Sequence, residues 1–320
     1  MMTKHLDFID SLKGFTIFLV VFAHVIAWSY IDYETILTDV KVSWLFQLIY
    51  AFHMPLFFFL SGYLAFHSFE RSKPFNVVKR RTLQLLVPYI FAEIFVTCVL
   101  QQKMNYWFLI ALYMMYIVTA LGEKWKYLHP LLTWVIIYGT TIIFPCLNNI
   151  DYLFIPSFKM HYVSFLLGFY FCKYPRFLAF ARKRIYPIAL MGFSLLFVFP
   201  LLFNGINMGG QGKIELVYKF VRSSLACFYL FFLFEQYHDS VPYKSWFERI
   251  GKDTLIIYIV HVFFKFTIPK CGEFIKIIPY PTLLQICYAL PLSILLISIA
   301  LVFKKIIFGD KCLSKLIMGK

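Results

Sequence analysis

Residues 10–28 read DSLKGFTIFLVVFAHVIAW. A helix needs about 20 mostly apolar residues to cross a bilayer, and the run around this stretch supplies them. It carries the ionisable residues Lys13 and His24, with almost everything between them apolar. They lie eleven positions apart, about three turns of helix, so both side chains share one face roughly 16 Å apart along the axis. An ionisable group inside a membrane helix is costly and marks a functional site by default. A neutral imidazole takes a proton from a hydroxyl and returns it, and its ordinary pKa near 6.5 suits that work at neutral pH. The bland alternative is a histidine that only hydrogen-bonds a neighbouring helix.

The whole chain has the same character. Of its 320 residues, 61% are hydrophobic and 15% charged, whereas soluble domains carry about a quarter charged residues. The expected fold is all-α: a polytopic membrane protein forming one domain over residues 1–320, with no soluble accessory domain. Apolar stretches predict about ten transmembrane helices, at 12–31, 44–66, 82–100, 105–121, 131–147, 158–172, 185–203, 215–235, 254–269 and 283–303. The first is too long for a signal-peptide core and is expected to be retained. No internal repeat is visible, which counts against the inverted-repeat transporters.

The net charge of +15 does not point to nucleic acid, because the charges collect in short segments beside the spans. With the N-terminus inside, 21 of the 31 Lys and Arg residues fall on inner segments and 7 on outer ones. That bias places both termini in the cytoplasm. The seven cysteines are scattered singly and include no CxxC spacing. They read as small apolar residues and not as a disulfide framework or a metal site. The cluster Gly209-Gly210-Gln211-Gly212 lacks the flanking strand and helix of a phosphate loop.

Further polar residues fall at or inside the spans. The second reads AFHMPLFFFLSGYLAF over 51–66. It holds His53 near its outer end, Pro55, which loosens the helix, and Ser61-Gly62, a point where another helix can approach closely. His53 also reads as an interfacial polar residue. An inner loop from His67 to Arg81 follows, ending in Lys79, Arg80 and Arg81. These serve as topology signals and lipid contacts, or as a clamp for a phosphorylated donor, since Arg pairs bidentately with phosphate. Glu93 lies deep in the third span and requires a partner there, a histidine or a base such as Arg222. His261 and Lys265 stand four apart on the ninth span. Trp107, in NYWFLIAL, is either a membrane-interface anchor or a platform for a sugar ring.

Six stretches in order resemble the acyltransferase-3 family of integral-membrane O-acyltransferases, of the bacterial glycan O-acetylase type. They are Asp10 to Gly14 with His24; His53 to Tyr63; Lys79-Arg80-Arg81 running to Pro88-Tyr89; Trp107-Phe108-Leu109 with Leu112; Phe165 to Gly168; and Ile250 to Leu255 through Tyr258 to His261. The family signature is an arginine, ten residues, then a histidine. Lys13 stands at the first position, keeping the charge without the planar fork.

The resemblance implies acyl transfer from cytoplasmic acetyl-CoA to a sugar hydroxyl of an envelope, capsular or exopolysaccharide glycan or its lipid-linked precursor, at the bacterial inner membrane. His24 would be general base or transient acyl carrier, with Lys13 aiding the donor and Lys79, Arg80 and Arg81 holding CoA phosphates. His53, Glu93, His261 and Arg222 would be supporting candidates, and the residues alone do not rank them. Ser61 and Trp107 would face the acceptor. No permanently bound cofactor is expected; acetyl-CoA is the donor substrate, and the partners are the glycan acceptor and membrane lipids. Two other classes fit such a chain: a flippase for lipid-linked glycans, which would move substrate without consuming acyl-CoA, and a scaffold whose polar residues only lock helices together.

Overall fold

The computed structural model describes residues 2–31, 36, 40–99, 101, 106–124, 155–203, 213–275, 277–278 and 281–309. Among the described residues nearly all are helical and none is in a strand. In chain order the helices are α1 (Met2–Trp28), α2 (Val40–Tyr50), α3 (His53–Arg71), α4 (Pro74–Arg81), α5 (Val87–Cys98), α6 (Trp107–Lys124), α7 (Ile155–Lys173), α8 (Pro175–Phe180), α9 (Tyr186–Phe203), α10 (Lys213–Tyr237), α11 (Lys244–Lys252), α12 (Thr254–Phe263), the single turn α13 (Gly272–Ile275) and α14 (Thr282–Gly309). Among the described residues five stretches are long and apolar enough to cross a membrane: Asp7–Trp28, Trp44–Arg71, Pro74–Cys98, Val217–Ser240 and Thr282–Ile306. The Pro74–Cys98 and Thr282–Ile306 stretches expose much of their apolar surface, Leu83, Ile90 and Ile94 on one and Leu283, Leu295 and Ile306 on the other. Such faces suit lipid.

The chain divides into two compact units, one of residues 1–57 and 179–303, the other of 58–178 and 304–320. In the first, α1 is the central element. Ile17, Val20, Val21, Ala23, Val25 and Ile26 are all buried, and α1 packs on α2, α10, α11 and α12, most extensively on α11. The reason lies in two glycines. A Cβ on Gly14 would overlap the backbone carbonyl of Phe247, and a Cβ on Gly251 would overlap that of Asp10. The two backbones therefore touch at a reciprocal glycine crossing, the close approach that small residues permit.

The second unit repeats the device with other helices. A Cβ on Gly62 of α3 would overlap the Phe165 carbonyl of α7, and one on Gly168 of α7 would overlap that of Phe59. The approach point expected at Ser61-Gly62 is thus filled by α7. Helix α6 packs on α7 and α4, with Thr119 and Tyr162 hydroxyls 3.1 Å apart and Thr82 and Tyr113 hydroxyls 2.9 Å apart.

Two prolines shape the basic segments. Pro88 has no N–H to give to the carbonyl four residues earlier, and its ring crowds that carbonyl. The helix widens by one residue: Thr82–Leu86 forms a π turn, in which the Val87 N–H reaches back to the Thr82 carbonyl. Pro187 has the same effect at Ala181–Ile185, where the Tyr186 N–H reaches the Ala181 carbonyl.

Several sequence expectations change. The segment 67–81 is not a loop: α3 runs to Arg71 and a new helix starts at Pro74, which suits a first helical position. The segment before the ninth span, expected as an inner connection, contains α11, packed on α1. The ninth span, expected over 254–269, leaves the α-helix after Phe263, so Lys265 belongs to a separate 3₁₀ turn and not to the helix of His261. The second span is broken at Ala51–Phe52, ahead of Pro55. The expected span at 131–147 and the Gly209–Gly212 cluster lie outside the described residues.

The crossing makes a stability prediction. Gly14→Ala and Gly251→Ala should each destabilise the detergent-solubilised protein by about 1–3 kcal/mol. Gly192→Ala, whose Cβ meets only the flexible Leu225 Cδ1 at 3.0 Å, should melt like the wild type. Equal melting temperatures for all three variants would contradict the packing described.

Candidate active site

The site in the first unit is built on α1. His24 Nδ1 lies 2.9 Å from His261 Nε2, and His261 Nδ1 lies 2.9 Å from the Ile257 carbonyl oxygen one turn back on α12. His261 is fully buried and His24 half-buried. Trp28, one turn beyond His24, lies over both imidazoles: its ring is 4.8 Å from His24 at 11° and 5.6 Å from His261 at 20°. His53 is buried, with Nδ1 2.9 Å from the Ile49 carbonyl, and its ring packs on Tyr50 at 4.6 Å. His53 and Lys265 both lie within electrostatic range of His24.

The last carbonyls of a helix lack intrahelical donors. At the end of α1 the chain supplies substitutes. Lys270 Nζ donates to the Trp28 carbonyl at 2.7 Å, a cation at the negative end of the helix dipole. Ser29 Oγ donates to the Ile26 carbonyl and meets the Tyr288 hydroxyl, each at 2.7 Å. Gln285 donates to the Tyr30 hydroxyl at 3.0 Å, and Glu273 accepts from the Ile31 N–H at 2.7 Å. The turn that carries Trp28 and His24 is thereby held at its C-terminal end.

Lys13 stands on the same continuous helix and pairs with Asp10 at 3.0 Å, both side chains partly exposed. Arg222, buried on α10, lies over the Tyr218 ring at 5.4 Å.

The remaining candidates lie in the second unit. Lys79 and Arg80 are exposed. Arg81 is engaged: it donates to Gln84 Oε1 at 2.8 Å and to Ser68 Oγ at 3.3 Å, and its guanidinium lies 4.6 Å from the Tyr116 ring centre. Glu93 accepts from the Tyr106 backbone N–H. Ser61 is half-buried beside the Gly62 crossing. Trp107 stacks on His161 at 5.6 Å, and Phe58 stacks on that imidazole at 5.0 Å. His161 had no place among the sequence candidates. Its only signal was a histidine in a short apolar span, four residues before the Phe165–Gly168 stretch.

Residues 6–303 match the sequence model of a family described as an acyltransferase domain. The chain belongs to the acyltransferase-3 family. With five helices among the described residues fit to cross a bilayer, it is a membrane protein of that family. Two curated relatives are both named Nodulation protein NolL. The one from Sinorhizobium fredii is 31% identical over 51% of this chain and 48% of its own length. The one from Mesorhizobium japonicum is 40% identical over 26% of this chain and 21% of its own. The chain thus spans about half, or less, of the curated relatives that it matches. No solved structure gives a significant match.

The contacts separate the three basic residues at the start of the Pro74–Cys98 helix. Arg81→Ala should lower stability by about 1–2 kcal/mol through lost hydrogen bonds and the ring contact. Lys79→Ala and Arg80→Ala should leave the melting temperature within error. A stability loss shared equally by all three would contradict this division.

Proposed function

We propose that this acyltransferase-3 protein moves an acetyl group from cytoplasmic acetyl-CoA to a sugar hydroxyl of an envelope, capsular or exopolysaccharide glycan or its lipid-linked precursor. It does so at the bacterial inner membrane, with both termini inside. The observation that carries the reading is the half-buried His24, hydrogen-bonded to a second imidazole in a family built around that histidine. A purely structural histidine would spend its ring between the helices, whereas His24 is held at Nδ1 by His261 and keeps accessible surface, as a general base or acyl carrier oriented by a further group requires.

His24 takes the proton of the acceptor hydroxyl, or carries the acyl group in transit. Lys79 and Arg80, exposed and basic, bind the CoA phosphates. Arg81 fixes the turn they stand on. Lys13, about 16 Å from His24 along α1, supports the donor's arm or phosphates. Trp107 and Ser61 serve the acceptor. The match of residues 6–303 to an acyltransferase family favours acyl transfer over the flippase reading.

Labelled acetyl-CoA and the host glycan test this with purified protein. His24→Ala should lose transfer by about 100-fold or more; near-normal turnover would rule out the role. Lys13→Ala should raise the donor KM several-fold with Lys13→Arg close to wild type, and an unchanged KM in Lys13→Ala would remove Lys13 from the donor site. Glycan movement with no acetyl-CoA consumed would establish the transporter instead.

A further inference from the structure

A carbonyl oxygen only accepts hydrogen bonds, so the 2.9 Å contact between His261 Nδ1 and the Ile257 carbonyl puts a proton on Nδ1. A neutral imidazole carries one N–H, which leaves a lone pair on His261 Nε2. His261 is fully buried, and a second proton would place a charge where burial is costly. The lone pair on His261 Nε2 faces His24 Nδ1 at 2.9 Å, so His24 must donate from Nδ1. The other tautomer of His24 would set two lone pairs against each other. His24 is left with an unprotonated Nε2, and it is the member of the pair with accessible surface.

We infer that His261 is a positioning residue that locks the tautomer of His24 and makes Nε2 of His24 the reacting nitrogen. The inference rests on the reading of His24 as the group that drives acyl transfer. As the acceptor oxygen forms its bond to the thioester carbonyl carbon, its proton passes to His24 Nε2. The carbon–sulfur bond breaks, and the CoA thiolate takes the proton back from Nε2. Thioester and alcohol become ester and thiol, with no other reactant. Between those proton transfers His24 is an imidazolium. His261 Nε2 accepts from its Nδ1–H throughout, and the Ile257 carbonyl polarises that acceptor. The face of Trp28, 4.8 Å from the ring, adds a cation–π contact to the charged form.

Position 261 tests this through reach. In His261→Gln the side-chain carbonyl extends to where Nε2 stands and can accept from His24. In His261→Asn the same amide stops near Nδ1, and His261→Leu offers no acceptor. Acetyl transfer at saturating donor should fall about 100-fold or more in the Leu and Asn variants, with the donor KM unchanged. The Gln variant should recover at least about tenfold of that loss. If the Leu variant does not fold, the Asn and Gln pair decides. Equal activity in Asn and Gln, or wild-type kcat in either Asn or Leu, would overturn the inference while an inactive His24→Ala left the role of His24 standing. Full activity in His24→Ala would instead remove the reading beneath it.

Discussion

The backbone contact between Gly14 and Gly251 is the constraint from which the site follows. With no Cβ on either residue, α1 and α11 meet main chain to main chain. From that crossing both chains run on in the same direction. His24 stands ten positions beyond Gly14, and His261 ten beyond Gly251. Equal spacings on parallel paths return the two side chains to the same level, where their rings meet at 2.9 Å. The path on the second side is not one helix. It breaks at Asp253 and restarts in α12, with the Ile257 N–H bonded to the Asp253 carbonyl. Beyond the break, α12 carries His261 against His24 of α1.

A crossing this tight explains how polar groups persist in an apolar unit. Two imidazoles in series spend each ring nitrogen they bury: one on the Ile257 carbonyl, one on each other. Only Nε2 of His24 is left for chemistry. Lys270, Ser29, Gln285 and Glu273 fix the C-terminal end of α1. The second unit uses its own glycine pair, Gly62 and Gly168, to bring α3 against α7. There the buried imidazole is His161, clustered with Phe58 and Trp107, whose rings also contact each other at 6.1 Å. The stretches that carried the family resemblance thus include both crossings. Asp10–Gly14 meets Ile250–Gly251, and Phe59–Gly62 meets Phe165–Gly168.

Much of this was legible in the sequence because it depends on local periodicity. Apolar length gave the helical membrane fold, and an eleven-residue spacing put Lys13 and His24 on one face of α1. What stayed hidden depends on contacts between distant segments. His261 was one of four supporting candidates, because nothing local says that a glycine ten residues earlier will dock on α1. Segment 67–81 read as a loop on its charge, although Pro74 was a legible helix start. The ninth span was drawn too long because hydropathy continues through Phe266 and Ile268 after the helix ends. Arg81 looked equivalent to Lys79 and Arg80, and only the neighbouring Ser68, Gln84 and Tyr116 set it apart.

The central claim is that helix register leaves His24 neutral, protonated on Nδ1 and unprotonated on Nε2. The ¹⁵N spectrum of histidine-labelled protein in lipid, with His24 assigned by the signals lost in His24→Ala, measures this directly. The account predicts a neutral His24 protonated on Nδ1, with that proton bonded to a nitrogen acceptor that disappears in His261→Leu. A His24 protonated on Nε2 in the wild type, or a Nδ1–H signal unaltered by His261→Leu, would contradict it.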